Sequence, residues 1–241
     1  MLIYRLPLNL NFVTDRSRCT ICSKVLGKLD LIPIVSFLFL RAKCRHCGSS
    51  ISFIYPFTEV ACGGLFVLAS FFFPLYSLIP VSIILFLLFV ISVIDFNTQE
   101  IYDGTVIAIG VTSVLWVVAS ALFNNIFPYA PSWYNAIIGA AVGGMLLLII
   151  DRICILILKK DGFGYGDVKL MIAVGIFLGW QLTVLAFVLA FVMGGVISAI
   201  LMFTGKVKLG MYIAFGPFLA LGSAVSLFFG EQIIKCYAFL F

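Results

Sequence analysis

Two aspartates and four cysteines are the residues whose types and spacing could do chemistry in this chain. Asp167 closes the run Asp161-Gly-Phe-Gly-Tyr-Gly-Asp167, which continues into Val168, Lys169 and a long apolar segment. An ionised carboxylate at a bilayer boundary is costly, so a function is its default hypothesis. The alternating glycines Gly162, Gly164 and Gly166 let the backbone take unusual φ values and let another chain come close, which suits a carboxylate that must meet a peptide. Asp95 ends a second apolar run, Leu85 to Ile94. Like charges held close cannot easily both ionise, so such a pair shares one proton. The ionised member can take a proton from water while the protonated member hydrogen-bonds the scissile carbonyl oxygen.

Each aspartate also has a plainer reading as a helix cap. Asp95 could simply be a helix-terminal carboxylate, or cap a helix beginning near Ile101, a role for which Asp103 competes, and Asp167 could cap one beginning at Val168. Placement of both on one side of a membrane strengthens the catalytic reading. Other hydrolytic chemistries lack their parts. The single histidine, His46, lies between Cys44 and Cys47, and no His-Glu-x-x-His run is present. The Gly-x-Gly-x-Gly spacing is not a dinucleotide fingerprint, and no strand precedes it.

Cys19-Thr-Ile-Cys22 and Cys44-Arg-His-Cys47 form two Cys-x-x-Cys pairs separated by 21 residues. That spacing suits a tetrahedral zinc, with two thiolates from each pair, and four thiolates leave no open position, so the metal is expected to be structural. Two disulfides are the alternative; the basic flanks favour the reducing cytosol, where disulfides rarely persist. His46 is expected to be a solvated neighbour. Cys62, Cys154 and Cys236 are expected to be small packing residues.

The elements that must position these groups follow from composition. The chain has 241 residues, 63% hydrophobic and 10% charged; soluble domains carry about 25% charged residues. Seven segments are long or apolar enough to read as membrane helices, at 54–73, 78–96, 102–123, 134–158, 168–180, 182–203 and 211–229. Gly179-Trp-Gln181 is expected to turn tightly between the two segments that flank it. The expected fold is therefore an all-α polytopic membrane protein with about seven transmembrane helices, in which residues 1–53 form a small cytosolic zinc-binding domain and residues 54–241 the membrane domain. No internal repeat is evident, and no cleavable signal peptide opens the chain.

Eight of the fifteen basic residues lie in 1–53. Cytoplasmic segments are enriched in Lys and Arg, so this region is expected in the cytosol. Counting spans from there puts 97–101, 159–167 and 204–210 on the same side, near Arg152, Lys159, Lys160, Lys169, Lys206 and Lys208, and leaves only Lys235 outside. Asp95 and Asp167 fall on that cytosolic side. No aromatic stacking motif or helix-turn-helix pattern supports nucleic-acid binding. Glu59 is expected to satisfy a helix start or a nearby cation. Asp151-Arg152 is expected to snorkel or pair between helices, and Lys169 to steady Asp167 or mark the membrane edge. Gly143-Gly144 and Gly194-Gly195 are expected to allow close helix packing.

In combination the motifs resemble the bacterial type IV prepilin peptidases. The resemblance rests on Arg16-Ser-Arg-Cys-Thr-Ile-Cys22, Asp30-Leu-Ile-Pro-Ile-Val-Ser36, Leu40-Arg-Ala-Lys-Cys-Arg-His-Cys47, Tyr55-Pro-Phe-Thr-Glu59, Gly164-Tyr-Gly-Asp-Val-Lys-Leu170 and Phe215-Gly-Pro-Phe-Leu219, and covers nearly the whole chain. It implies that Asp95 and Asp167 are the catalytic pair and that Cys19, Cys22, Cys44 and Cys47 hold the knuckle metal. It further implies removal of the short basic leader of type IV prepilins or type II secretion pseudopilins, after a glycine, on the cytoplasmic face of the bacterial inner membrane. Many members then N-methylate the new N-terminus with S-adenosylmethionine. The turn after Asp95 reads Ile101-Tyr-Asp103, where the family usually has a proline. Members usually carry an apolar helix before the stretch matched by Tyr4-Arg-Leu-Pro7, so the seven segments correspond to the last seven of eight. The rival readings are a presenilin-like protease, whose Pro-Ala-Leu motif is absent, a proton-coupled transporter or zinc-tethered scaffold using the same aspartates, and an inactive paralogue.

Overall fold

A computed structural model describes residues 16–123, 130–159, 162–205 and 213–240, with residues 3, 6 and 7. Tyr4, Arg5, residues 124–129, Lys160, Asp161, Lys206 and Lys208 lie outside the described residues. The chain divides into two compact units, Met1–Phe71 and Phe72–Phe241. The described residues are almost wholly helical, and their β pairing is confined to two isolated bridges.

The first unit holds the cysteine pairs, a 3₁₀ turn at Lys28–Leu31, α1 (Val35–Phe39) and most of α2 (Ile54–Phe72). Here the structure corrects the expectation of no repeat, because residues 17–26 and 42–51 fold alike. Bridges join Arg18 to Val25 and Lys43 to Ser50. Cys19 N–H donates to Lys24 O and Cys44 N–H to Ser49 O, at 2.9 and 2.8 Å; Ser23 N–H donates to Cys19 O and Gly48 N–H to Cys44 O, both at 2.9 Å. The residue after each second cysteine is left-handed, Ser23 at φ 56° and Gly48 at φ 69°. Only the cysteines are shared in sequence, because the repeat is written in backbone hydrogen bonds. Glu59 on α2 accepts the Ile34 N–H at 2.8 Å, and Asp30 pairs with Arg45 at 2.9 Å.

The second unit is a helical bundle of α3 (Leu75–Thr98), α4 (Asp103–Leu122), α5 (Trp133–Leu158), α6 (Tyr165–Phe203) and α7 (Gly216–Leu240). With α2, these make six helices long and apolar enough to cross a bilayer, and the chain is a multi-pass membrane protein. The expected seventh segment is inside α6. At Gly179 the backbone leaves the helix, at φ 73° and ψ 170°, a conformation essentially restricted to glycine. The chain reverses there. Met171 and Thr183 both lie against Gly143 of α5, whereas twelve residues of straight helix would separate them by about 18 Å. Phe163, just before α6, meets Phe191 at 5.8 Å between ring centroids. The expected turn at 179–181 is thus present, and the first limb, 165–178, rises only about 21 Å.

The two limbs of α6 form the centre of the bundle, packed against α4, α5 and α7. Close backbone approach explains the small residues. Gly139 and Gly175 face each other between α5 and α6, and Gly222 of α7 lies on Ala186 and Ala190 of the second limb. Ser113 of α4 donates to Ala173 O at 3.0 Å and Ser226 of α7 to Leu182 O at 2.7 Å, so hydrogen bonds also tie α6 to these two helices. Leu170, Met171, Ala186, Ala190 and Ile109 are fully enclosed.

Candidate active site

The reversal at Gly179 brings the C-terminal end of α3 and the N-terminal ends of α6 and α7 to the same end of the bundle. Asp95 lies inside the last turn of α3, so it is helix-terminal and does not cap the following helix. Its Oδ2 accepts the backbone N–H of Gly216, the first residue of α7, at 2.9 Å. The two groups fit only because residue 216 lacks a side chain: a Cβ there would stand 2.6 Å from Asp95 Oδ2. Pro217 follows in the first helical turn, where a missing N–H costs nothing.

Asp167 does not cap α6 either. Gly164 occupies the capping position in extended conformation, and Asp167 sits in the first turn with its N–H on Gly164 O at 3.1 Å. Both carboxylates are buried, Asp95 at 5% and Asp167 at 9% exposure, and they are near enough to interact as charges. Asp167 Oδ1 is enclosed and has no hydrogen-bond partner among the described residues. Buried polar atoms are nearly always paired, so an orphan is a sign of function. Phe163 and Phe215 pack ring to ring at 4.9 Å and tie the segment before Asp167 to the segment before Gly216.

The neighbouring charges differ from expectation. Asp103 heads α4 but makes no cap, because its carboxylate takes Lys169 Nζ at 2.8 Å. Lys169 therefore serves Asp103 rather than Asp167. Glu100 is exposed and accepts the Tyr102 hydroxyl at 3.2 Å. Asp151 accepts the backbone N–H groups of Gly162 and Phe163, at 2.9 and 3.3 Å, and makes no ion pair among the described residues. The Gly216 N–H was not singled out by sequence reasoning, although the Phe215-Gly-Pro run that carries it was.

In the other unit, Cys19, Cys22, Cys44 and Cys47 offer four sulfurs all within 4.8 Å of one another, with Cys19 and Cys47 at 3.9 Å. A zinc held at about 2.3 Å by four thiolates sets its sulfurs roughly 3.8 Å apart, so the cluster fits the ion. Turn N–H groups aim at the sulfurs. Those of Cys22 and Ile21 hold the Cys19 thiol down at about 6, and Ser49, through hydroxyl and N–H, lowers Cys47. At Cys22 the Lys24 N–H pulls down, but burial and the neighbouring sulfurs outweigh it and push the thiol up to about 11. One thiol raised by its neighbours is what four crowded sulfurs produce without a cation; a divalent ion reverses that balance. His46 is exposed and outside the cluster.

A polytopic helical protein with two buried carboxylates at one end and a four-cysteine knuckle unit is the class this defines. Residues 82–199 match the model of the type IV leader peptidase family, and residues 1–73 match the bacterial peptidase A24 N-terminal domain. The chain is 32% identical to a prepilin leader peptidase/N-methyltransferase of Bacillus subtilis, over 97% of this chain and 89% of that protein. It is 33% identical to the protein of that name from Stutzerimonas stutzeri, over 94% of this chain and 76% of the relative. The Klebsiella pneumoniae relative of the same name is 37% identical over 75% of this chain and 79% of its own length. No solved structure matches. The chain belongs to the type IV leader peptidase family, and is a membrane peptidase of that family.

Proposed function

We propose that this protein is an aspartyl endopeptidase that removes the short basic leader of type IV prepilins or pseudopilins, after a glycine, using Asp95 and Asp167. The observation that carries the reading is the pairing of two buried carboxylates at one end of the bundle, one of them with an enclosed oxygen that has no partner among the described residues. In this reading Asp95 is oriented by the Gly216 N–H, and Asp167 Oδ1 is the oxygen offered to water or to the substrate carbonyl. One ionised carboxylate takes the proton of the attacking water. The protonated partner hydrogen-bonds the carbonyl and then returns a proton to the leaving amine. Retention of both aspartates and all four knuckle cysteines favours an active peptidase over an inactive paralogue, and family membership favours it over a transporter or scaffold.

Residues 1–53 act in this account as a knuckle domain that holds one structural zinc through Cys19, Cys22, Cys44 and Cys47, ahead of a membrane domain at 54–241. In this reading the knuckle domain and both aspartates face the cytosol at the bacterial inner membrane, which the enrichment of cytoplasmic segments in Lys and Arg supports. The relatives' name supports a second step, N-methylation of the new N-terminus. Co-expression with a prepilin precursor, reading the product's N-terminal mass, tests the reading. Loss of the leader mass is expected, with a further methyl group if the second step operates; an intact precursor beside inserted enzyme refutes peptidase function.

A further inference from the structure

The Asp151 carboxylate is a charge inside a long apolar helix, and neither peptide cleavage nor metal binding uses it. Such a group is costly unless it is satisfied. Its partners lie on a different stretch of chain: Oδ1 accepts the N–H groups of Gly162 and Phe163, eleven and twelve residues on. The approach is tight, because a Cβ on Gly162 would stand 2.9 Å from both Cβ and Sγ of Cys154, one turn after Asp151 on α5. From that anchored pair the backbone runs directly to the aspartates. Gly164, next after Phe163, is the capping residue whose carbonyl takes the Asp167 N–H at 3.1 Å. The Phe163 ring packs on Phe215 at 4.9 Å, and the next residue, Gly216, donates to Asp95 at 2.9 Å. One carboxylate thus fixes the segment from which both aspartates are placed.

We propose that Asp151 is a positioning residue of the peptidase: it anchors the 162–163 backbone and, through Phe163 against Phe215, sets the placement of Asp167 relative to Asp95. The proposal rests on the reading that Asp95 and Asp167 carry out cleavage. It makes Asp151 act on the chemical step and not on substrate binding, because its contacts are to this chain's own backbone. What the anchor requires is an acceptor oxygen. Asparagine keeps that oxygen without the charge, and alanine removes it. Displacing a reacting group by about 1 Å costs on the order of 100-fold.

The test is steady-state cleavage of a purified prepilin precursor by the full chain in liposomes, comparing wild type, D151A, D151N, G162A and D167N. D151A is expected to lose roughly 10- to 100-fold in kcat with KM within about twofold. D151N is expected to recover most of that loss, and G162A, whose Cβ presses on Cys154, to fall in kcat like D151A. Amide hydrogen exchange at Gly162 and Phe163 should quicken in D151A and not in D167N. A D151A enzyme with kcat within threefold of wild type overturns the proposal, as does a loss confined to KM or a D151N enzyme as impaired as D151A. Should D151A fail to insert, G162A and D151N decide, and full kcat in G162A overturns it. An active D167N enzyme overturns the catalytic reading and this proposal with it, whereas an active D151A beside an inactive D167N overturns this proposal alone.

Discussion

Replacing Gly216 by alanine tests the site without touching either carboxylate. The added Cβ would lie 2.6 Å from Asp95 Oδ2 and 3.0 Å from its Cγ. Ordinary carbon–oxygen contact needs well over 3 Å, and the group that must yield is either the Asp95 side chain or the start of α7. Either movement lengthens the 2.9 Å hydrogen bond from the Gly216 N–H. A hydrogen bond to a charged group contributes about 1.5 to 3 kcal/mol. If that bond orients Asp95 for the reaction, its loss lowers kcat by roughly 10- to 150-fold. The assay is precursor cleavage by purified enzyme in liposomes, with thermal unfolding measured alongside. A G216A enzyme that folds and cleaves within twofold of wild type would refute the role given to this contact.

Three further changes follow from the geometry. Gly179→Ala places a side chain at φ 73° and ψ 170°, with its Cβ 3.1 Å from Pro131 Cβ, and should destabilise the bundle by about 1 to 3 kcal/mol; an unchanged thermal midpoint would contradict the reversal at this residue. Cys44→Ser should abolish stoichiometric zinc in metal analysis and lower the unfolding temperature of the N-terminal unit, whereas full zinc content in this variant would show that the four sulfurs do not act together. Ser23→Gly removes a left-handed serine, at φ 56°, and should stabilise the knuckle by about 0.5 to 1 kcal/mol in thermal unfolding, less than the full left-handed penalty because glycine is freer when unfolded; a destabilised variant would contradict the equivalence with Gly48.

The parts of the site that were legible in sequence are those written in side-chain chemistry. Asp95, Asp167 and the cysteine pairs stand out because charge is rare in apolar segments and because Cys-x-x-Cys spacing has a coordination reason. Gly179 was legible as a turn, since it splits an apolar stretch too long for one crossing. What escaped is what the backbone does. The knuckle repeat shares only its cysteines in sequence, and the Gly216 N–H on Asp95 joins residues 121 positions apart. Asp103 reads as a cap from its place at a helix start, but Lys169 comes within 2.8 Å through the packing of α4 against α6. Helix boundaries moved for local reasons. Gly164, not Asp167, caps α6, and α7 continues past Phe229 with Glu231 and Lys235 paired at 3.2 Å along its exposed face.

The central claim is that Asp95 and Asp167 act together on one peptide bond, and the most direct measurement is the N-terminal mass of a prepilin precursor incubated with wild type, D95N, D167N and the double variant. Asparagine keeps size and hydrogen bonding while removing the acid–base function. The leader should be lost with wild type and retained with each single variant, the double variant being no worse than either, since groups that act as a unit are not additive. D103N is the control and should cleave within about fivefold of wild type, because the exposed Asp103–Lys169 pair contributes at most about 1 kcal/mol. Normal cleavage by D95N together with none by D103N would contradict the account and make Asp103 the partner of Asp167.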